Sequence, residues 1–81
     1  MNVTVLLFAQ ARERAGAARL ALSLPGGPRV SDALDALERS HPALGSLRPH
    51  LAVAVDGMLT RPDAKLSEGS ELALLPPVSG G

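Results

Sequence analysis

One segment of this 81-residue chain carries a helical stripe long enough to cover a sheet, and strand-like alternation lies on both sides of it. Val30, Ala33, Leu34 and Leu37 recur at helical spacing, while Asp32, Asp35, Glu38 and Arg39 fall off that stripe. Ser31 is placed to cap this helix, with Asp32 in the first turn where the helix dipole favours negative charge. Pro42 closes it near His41. A single amphipathic helix has one apolar face to bury, and the surrounding strands must supply the surface it packs on. The expected architecture is therefore two-layered α+β, one sheet covered by one main helix.

The strands follow from period-two patterning. Met1 to Phe8 sets Val3, Val5 and Leu7 on one face and Asn2, Thr4, Leu6 and Phe8 on the other. Ala9 to Ala15 is built from helix formers and stops at Gly16. Arg19 to Leu24 alternates again through Leu20, Leu22 and Leu24, and Pro25-Gly26-Gly27-Pro28 forces a turn. That Gly-Gly pair matches neither phosphate-binding fingerprint, because no Lys-Ser/Thr and no third glycine follows. Leu44 to Pro49 reads as irregular or a single helical turn. Leu51 to Val55 is a strand with Leu51, Val53 and Val55 on one side and alanines on the other. Asp56-Gly57 is a turn signal. Met58 to Leu66 is expected to wind across one edge, and Ser67-Glu68-Gly69-Ser70 turns the chain into a closing strand, Glu71 to Leu75. If the Leu/Val faces pack on the helix, the other sheet face carries Leu6, Phe8, Ala52, Ala54, Ala73 and Leu75. A solvated face would carry charge or Thr; an apolar one marks a partner surface.

Composition narrows the function. There is no cysteine, hence no disulfide and no Cys-based zinc site, and His41 and His50 are not at ligand spacing. Formal charge is zero and the basic residues are dispersed, without Trp or Tyr, so neither a phosphate-backbone stripe nor a stacking platform for nucleic acid is expected. No apolar run reaches the roughly 20 residues of a membrane span and no signal-type segment opens the chain, which makes a cytoplasmic location the expectation. The acidic residues near the helix follow its solvated face rather than forming a catalytic pair, and no nucleophile–base pair points to an autonomous enzyme.

Chemistry concentrates at the chain end, Pro76-Pro77-Val78-Ser79-Gly80-Gly81. Residues 1–75 read as the domain and 76–81 as an extended tail. Pro76 and Pro77 cannot donate to a ladder and fix their own φ, so the chain leaves the sheet stiff. Gly80 and Gly81 have no Cβ and fit a channel that refuses side chains. From Pro76 to Gly81 the tail spans about 20 Å at roughly 3.3–3.6 Å per residue. A terminal carboxylate on such a tether can enter another protein's active site. A frayed end is the bland alternative, but it has no need of a rigid stalk.

Phe8-Ala9-Gln10-x-Arg12-Glu13-x-x-Gly16, Ala52-Val53-Ala54-Val55-Asp56, Leu66-x-x-Gly69-x-Glu71-Leu72-Ala73 and Pro76-Pro77-Val78-Ser79-Gly80-Gly81 together resemble the small subunit of molybdopterin synthase, over almost the full chain. The ending is the most specific of these motifs. The resemblance implies a ubiquitin-like β-grasp fold and a sulfur carrier. A ubiquitin-activating-like adenylating enzyme uses ATP on the terminal carboxylate, a sulfur donor protein converts it to a thiocarboxylate, and the large subunit receives the tail to build the dithiolene of molybdopterin from precursor Z. An α-carboxylate is ionised and a poor electrophile at neutral pH, which is why adenylation must come first. Carried over by position, Gly81 bears the sulfur and Gly80 is its slender neighbour. Phe8, Leu59 and Leu75 match hydrophobic contact positions, Arg12 a polar one, and Pro76, Pro77, Val78 and Ser79 form the stalk. ATP serves the activating partner, and this chain is expected to bind no cofactor or metal itself. Two positions depart from the family pattern: Leu75 is commonly aromatic and Asp56 often Asn. Delivery to thiamine synthesis or tRNA thiolation, conjugation of Gly81 to protein lysines, and a non-reactive β-grasp interaction module are the alternatives.

Overall fold

Alternation in the first strand settles which way the sheet faces. In β1 (Asn2–Leu7) the side chains of Val3, Val5 and Leu7 are buried, and Thr4 and Leu6 on the opposite face are only partly covered. The computed structural model describes residues 1–77. After β1 come α1 (Ala9–Ala15), β2 (Arg19–Ser23), α2 (Val30–Ser40), 3-10 turns at Pro42–Leu44 and Arg48–His50, β3 (Ala52–Val55), β4 (Met58–Thr60) and β5 (Glu71–Leu75).

These strands form one sheet in the order β2-β1-β5-β3-β4. β1 and β5 run parallel, and every other neighbour pair is antiparallel. The last strand in sequence thus occupies the middle of the sheet. Paired residues share a face, so the register reads out in rows. On the helix side one row runs Leu20–Val5–Leu72–Val55–Met58 and another Leu7–Leu74–Val53–Thr60. Val30, Ala33, Leu34 and Leu37 of α2 close over them, and these residues join Leu44, Leu47 and Leu66 in one core cluster. Val5, Leu72 and Leu74 have no exposed surface.

The stripe read from the sequence is the stripe that is buried, but the helix starts differently from expectation. Ser31 does not cap it; Arg29 occupies the N-cap position and Val30 is already helical. Asp32 carries the cap instead, its Oδ2 accepting the backbone N–H of Arg29 at 2.7 Å. The carboxylate at the third helical position reaches back to the N-cap amide, which is one half of a capping box. The first turn is pinned further by Val30 N–H to Ala64 O and Ser31 N–H to Pro62 O, at 2.9 and 2.8 Å. The loop after β4 therefore fixes where α2 begins.

Two more expectations change. Leu51 follows the Arg48–His50 turn and precedes β3 rather than belonging to it. Met58 to Leu66 does not wind across the edge throughout, because Met58–Thr60 pairs with β3 as a short edge strand. Asp56 and Gly57 both have positive φ, 51° and 86°, the conformation of a two-residue hairpin turn whose twist suits the flanking strands.

Candidate docking face and tail root

On the face of the sheet opposite α2, Thr4, Leu6, Ala73 and Leu75 are only partly covered, and Ala52 and Leu59 are exposed. Its central row runs Arg19–Leu6–Ala73–Ala54–Leu59, crossing all five strands. Beside it, Ala52 lies opposite Leu75. Apolar side chains fill this row except at the β2 edge, where Arg19 supplies a cation. Ala54 is 6% exposed yet stands outside the helix-side core cluster, so its neighbours on the open face shield it. Leu59, at the far edge, is 75% exposed. Carboxylates gather at the other end of the face: Glu71 lies opposite Thr4, and Asp56 Oδ1 accepts the Glu71 N–H at 2.9 Å.

Phe8 extends the apolar face past the end of β1. It sits at the N-cap of α1 in extended conformation and is 46% exposed. Its carbonyl accepts the N–H of Ala11 at 3.0 Å, and Ala11 is fully buried, so the short helix anchors the backbone while the ring stays outside. Arg12 is exposed on the same helix, one turn on, and Gly16 ends it at φ 76°. Leu75 is half-buried at the end of β5; Pro76 is half-buried and Pro77 exposed. Leu75 and Leu59 thus lie on the open face, Phe8 directly follows β1, and Arg12 is exposed on α1. Pro76 follows the end of the middle strand, because β5 lies between β1 and β3. Val78, Ser79, Gly80 and Gly81 lie outside the described residues.

Two features were not foreseen from the sequence. Met58 is 74% exposed on the β4 edge, and β4 itself was missed; the Asp56-Gly57 turn was the signal that a second strand follows. The other is a groove between β4 and the Arg48–His50 turn, of about 660 Å3. Arg48 on its wall holds Asp35 at 2.6 Å and Glu38 at 3.4 Å. The hydrogen bond to Asp35, ahead of the weaker one to Glu38, raises the pKa of the guanidinium above its ordinary value, against the lowering effect of burial.

A mixed sheet in this order, crossed on one face by one main helix and open on the other, defines a ubiquitin-like β-grasp domain. A sulfur carrier subunit of molybdopterin synthase from Arabidopsis thaliana is 37% identical over 81 residues, covering all of this chain and 84% of that protein. Small archaeal modifier protein 1 from Haloferax volcanii is 41% identical over 93% of this chain and 95% of its own. The crystal structure of SAMP1 from that organism superposes with a TM-score of 0.92 at 38% identity, covering both chains fully. One chain of the complex of subunits 1 and 2 of the Helicobacter pylori molybdopterin-converting factor shares the fold, at a TM-score of 0.71, 23% identity and full coverage of both chains. The model of the ThiS family matches residues 5–81, and the chain belongs to that family.

Proposed function

We propose that this chain is the sulfur-carrying subunit of a molybdopterin synthase. The observation that carries the reading is the position of the tail: the middle strand of the sheet runs into Pro76-Pro77 beside an uncovered apolar face, in a chain of the ThiS family. A partner seated on Leu6, Phe8, Leu59 and Leu75 receives the tail root at a fixed place. The Arabidopsis relative, matched over all of this chain, is a molybdopterin synthase sulfur carrier subunit. The large subunit is the acceptor. A ubiquitin-activating-like adenylating enzyme and a sulfur donor protein act before it.

The chemistry at Gly81 proceeds in balanced steps. A carboxylate oxygen of Gly81 attacks the α-phosphorus of ATP and pyrophosphate leaves, giving an acyl adenylate. The terminal sulfur of a donor persulfide attacks the carbonyl carbon and AMP leaves. A thiol then cleaves the sulfur–sulfur bond, forming a disulfide and leaving a thiocarboxylate on the tail. Leu6, Phe8, Leu75 and Leu59 dock, Arg12 gives a polar contact at the margin, and Pro76 to Ser79 span the distance into the acceptor.

The test is intact mass spectrometry after incubation with an adenylating enzyme, ATP and a persulfide donor. The expected product is heavier by the replacement of one oxygen with sulfur. Deleting Gly81 removes it and leaves the unfolding midpoint unchanged. No mass change in the intact chain under conditions that load a known carrier refutes the reading. A second use of the same activated carboxylate, capture by a lysine amine of another protein, is favoured by the Haloferax relative's being a modifier protein. Covalent adducts on a denaturing gel would report it.

A further inference from the structure

We infer that the groove at the β4 edge is a second anchor for the tail-accepting partner protein, which adds an extended segment to β4 and seats an apolar side chain in the groove. This rests on the carrier reading above, because it assigns the occupant to the same partner.

β4 is an outer strand of three residues, and no strand pairs with its far side among the described residues. Sheet edges are ordinarily blunted by short strands, charge, proline or a covering loop, and β4 is short and followed by Arg61 and Pro62. Here the edge shows Met58 and Leu59, each about three-quarters exposed. Beneath it the groove is walled by Leu34 of α2, Pro49, Leu51 and Val53, with Thr60 and Pro62 at the β4 side. Its lining is largely apolar, and its one charged side chain, Arg48, is already engaged by Asp35 and Glu38. An anionic ligand would have to displace those carboxylates, whereas an apolar side chain displaces only water. The Arg48 pairs also tie the turn carrying Pro49 to α2, so that wall is held in place before anything binds.

Continuity identifies the occupant. Ala52 and Leu59 belong both to the open face and to the groove, so the two apolar surfaces meet at these residues. A partner seated on Leu6, Ala73 and Leu75 reaches this edge as the next strand position. Strand addition supplies main-chain hydrogen bonds, and the groove supplies side-chain selectivity.

The experiment measures binding of the full chain to the large subunit of molybdopterin synthase by calorimetry, with wild type, Thr60→Arg and Phe8→Asp. Thr60→Arg puts a charge into the groove mouth and is expected to weaken binding at least about tenfold, as loss of a well-packed anchor does. Affinity within about twofold of wild type, with Phe8→Asp still weakened, overturns the groove proposal and leaves the carrier reading standing. Binding untouched by Phe8→Asp strikes at the carrier reading itself. Hydrogen exchange on the wild-type complex keeps the test independent of folding in the variant: Leu59, whose amide faces away from β3 in this register, is expected to gain protection, and unchanged exchange there refutes strand addition. If sedimentation shows that Thr60→Arg splits a dimer of this chain, the occupant is a second copy and the assignment to the partner is wrong.

Discussion

Leu74 and Leu75 are chemically identical neighbours on β5, and the fold assigns them opposite tasks. Leu74 has no exposed surface and sits in the helix-side row between Leu7 and Val53. Leu75 is half-buried on the other face, opposite Ala52. Truncating Leu74 to Ala removes buried methyl groups and leaves a cavity beneath α2, a change that costs about 2–5 kcal/mol. A domain of this size unfolds with roughly 4–12 kcal/mol in total, and each kcal/mol shifts the midpoint by about 4–8 °C. Leu74→Ala should therefore lower the midpoint by at least about 8 °C. Leu75→Ala gives up only partial burial, about 1 kcal/mol or less, and should weaken partner binding instead. Urea denaturation and calorimetry of both variants, followed by partner titration, check the pair. Equal destabilisation by the two, or greater loss from Leu75→Ala, would falsify the facing of β5 and with it the docking surface.

Gly57→Ala forces a Cβ onto a residue at φ 86° and should cost more than about 1 kcal/mol in urea unfolding, although nothing lies within 4 Å of the added atom. Asp32→Ala removes the acceptor of the Arg29 amide and should cost about 1 kcal/mol, with faster hydrogen exchange in the first turn of α2. Arg48→Ala should cost up to about 1 kcal/mol at low salt and less at high salt, because its partners are half-exposed and screened. A stability difference between wild type and this variant that is independent of ionic strength would count against the ion pairs.

The sheet was legible where alternation ran for five or more residues, as in Met1 to Phe8 and Glu71 to Leu75. Each apolar residue there repeats a decision already made two positions earlier, so errors do not accumulate. β4 offered Met58-Leu59-Thr60, too few residues to show a period, and its identity came from pairing with β3 through the Asp56-Gly57 turn. The α2 cap misled for a related reason: Ser31 is a better N-cap by residue type, but the loop at Pro62 and Ala64 holds the backbone of Val30 and Ser31 and moves the start back to Arg29. The docking positions Phe8, Leu59 and Leu75 came from family resemblance; in the fold Phe8 and Leu75 follow or end the neighbouring strands β1 and β5, and Leu59 lies on the β4 edge. The groove was invisible in the sequence, since only the packing of α2 against the Arg48–His50 turn and the β3–β4 hairpin encloses it.

The place of β5 between β1 and β3 has a mechanical consequence. A pull on the tail loads two ladders along their length at once rather than peeling one edge bond by bond. A tail rooted on an outer strand would unzip under the same tension. Rooted at the centre, it can be drawn taut repeatedly while the domain behind it keeps its shape.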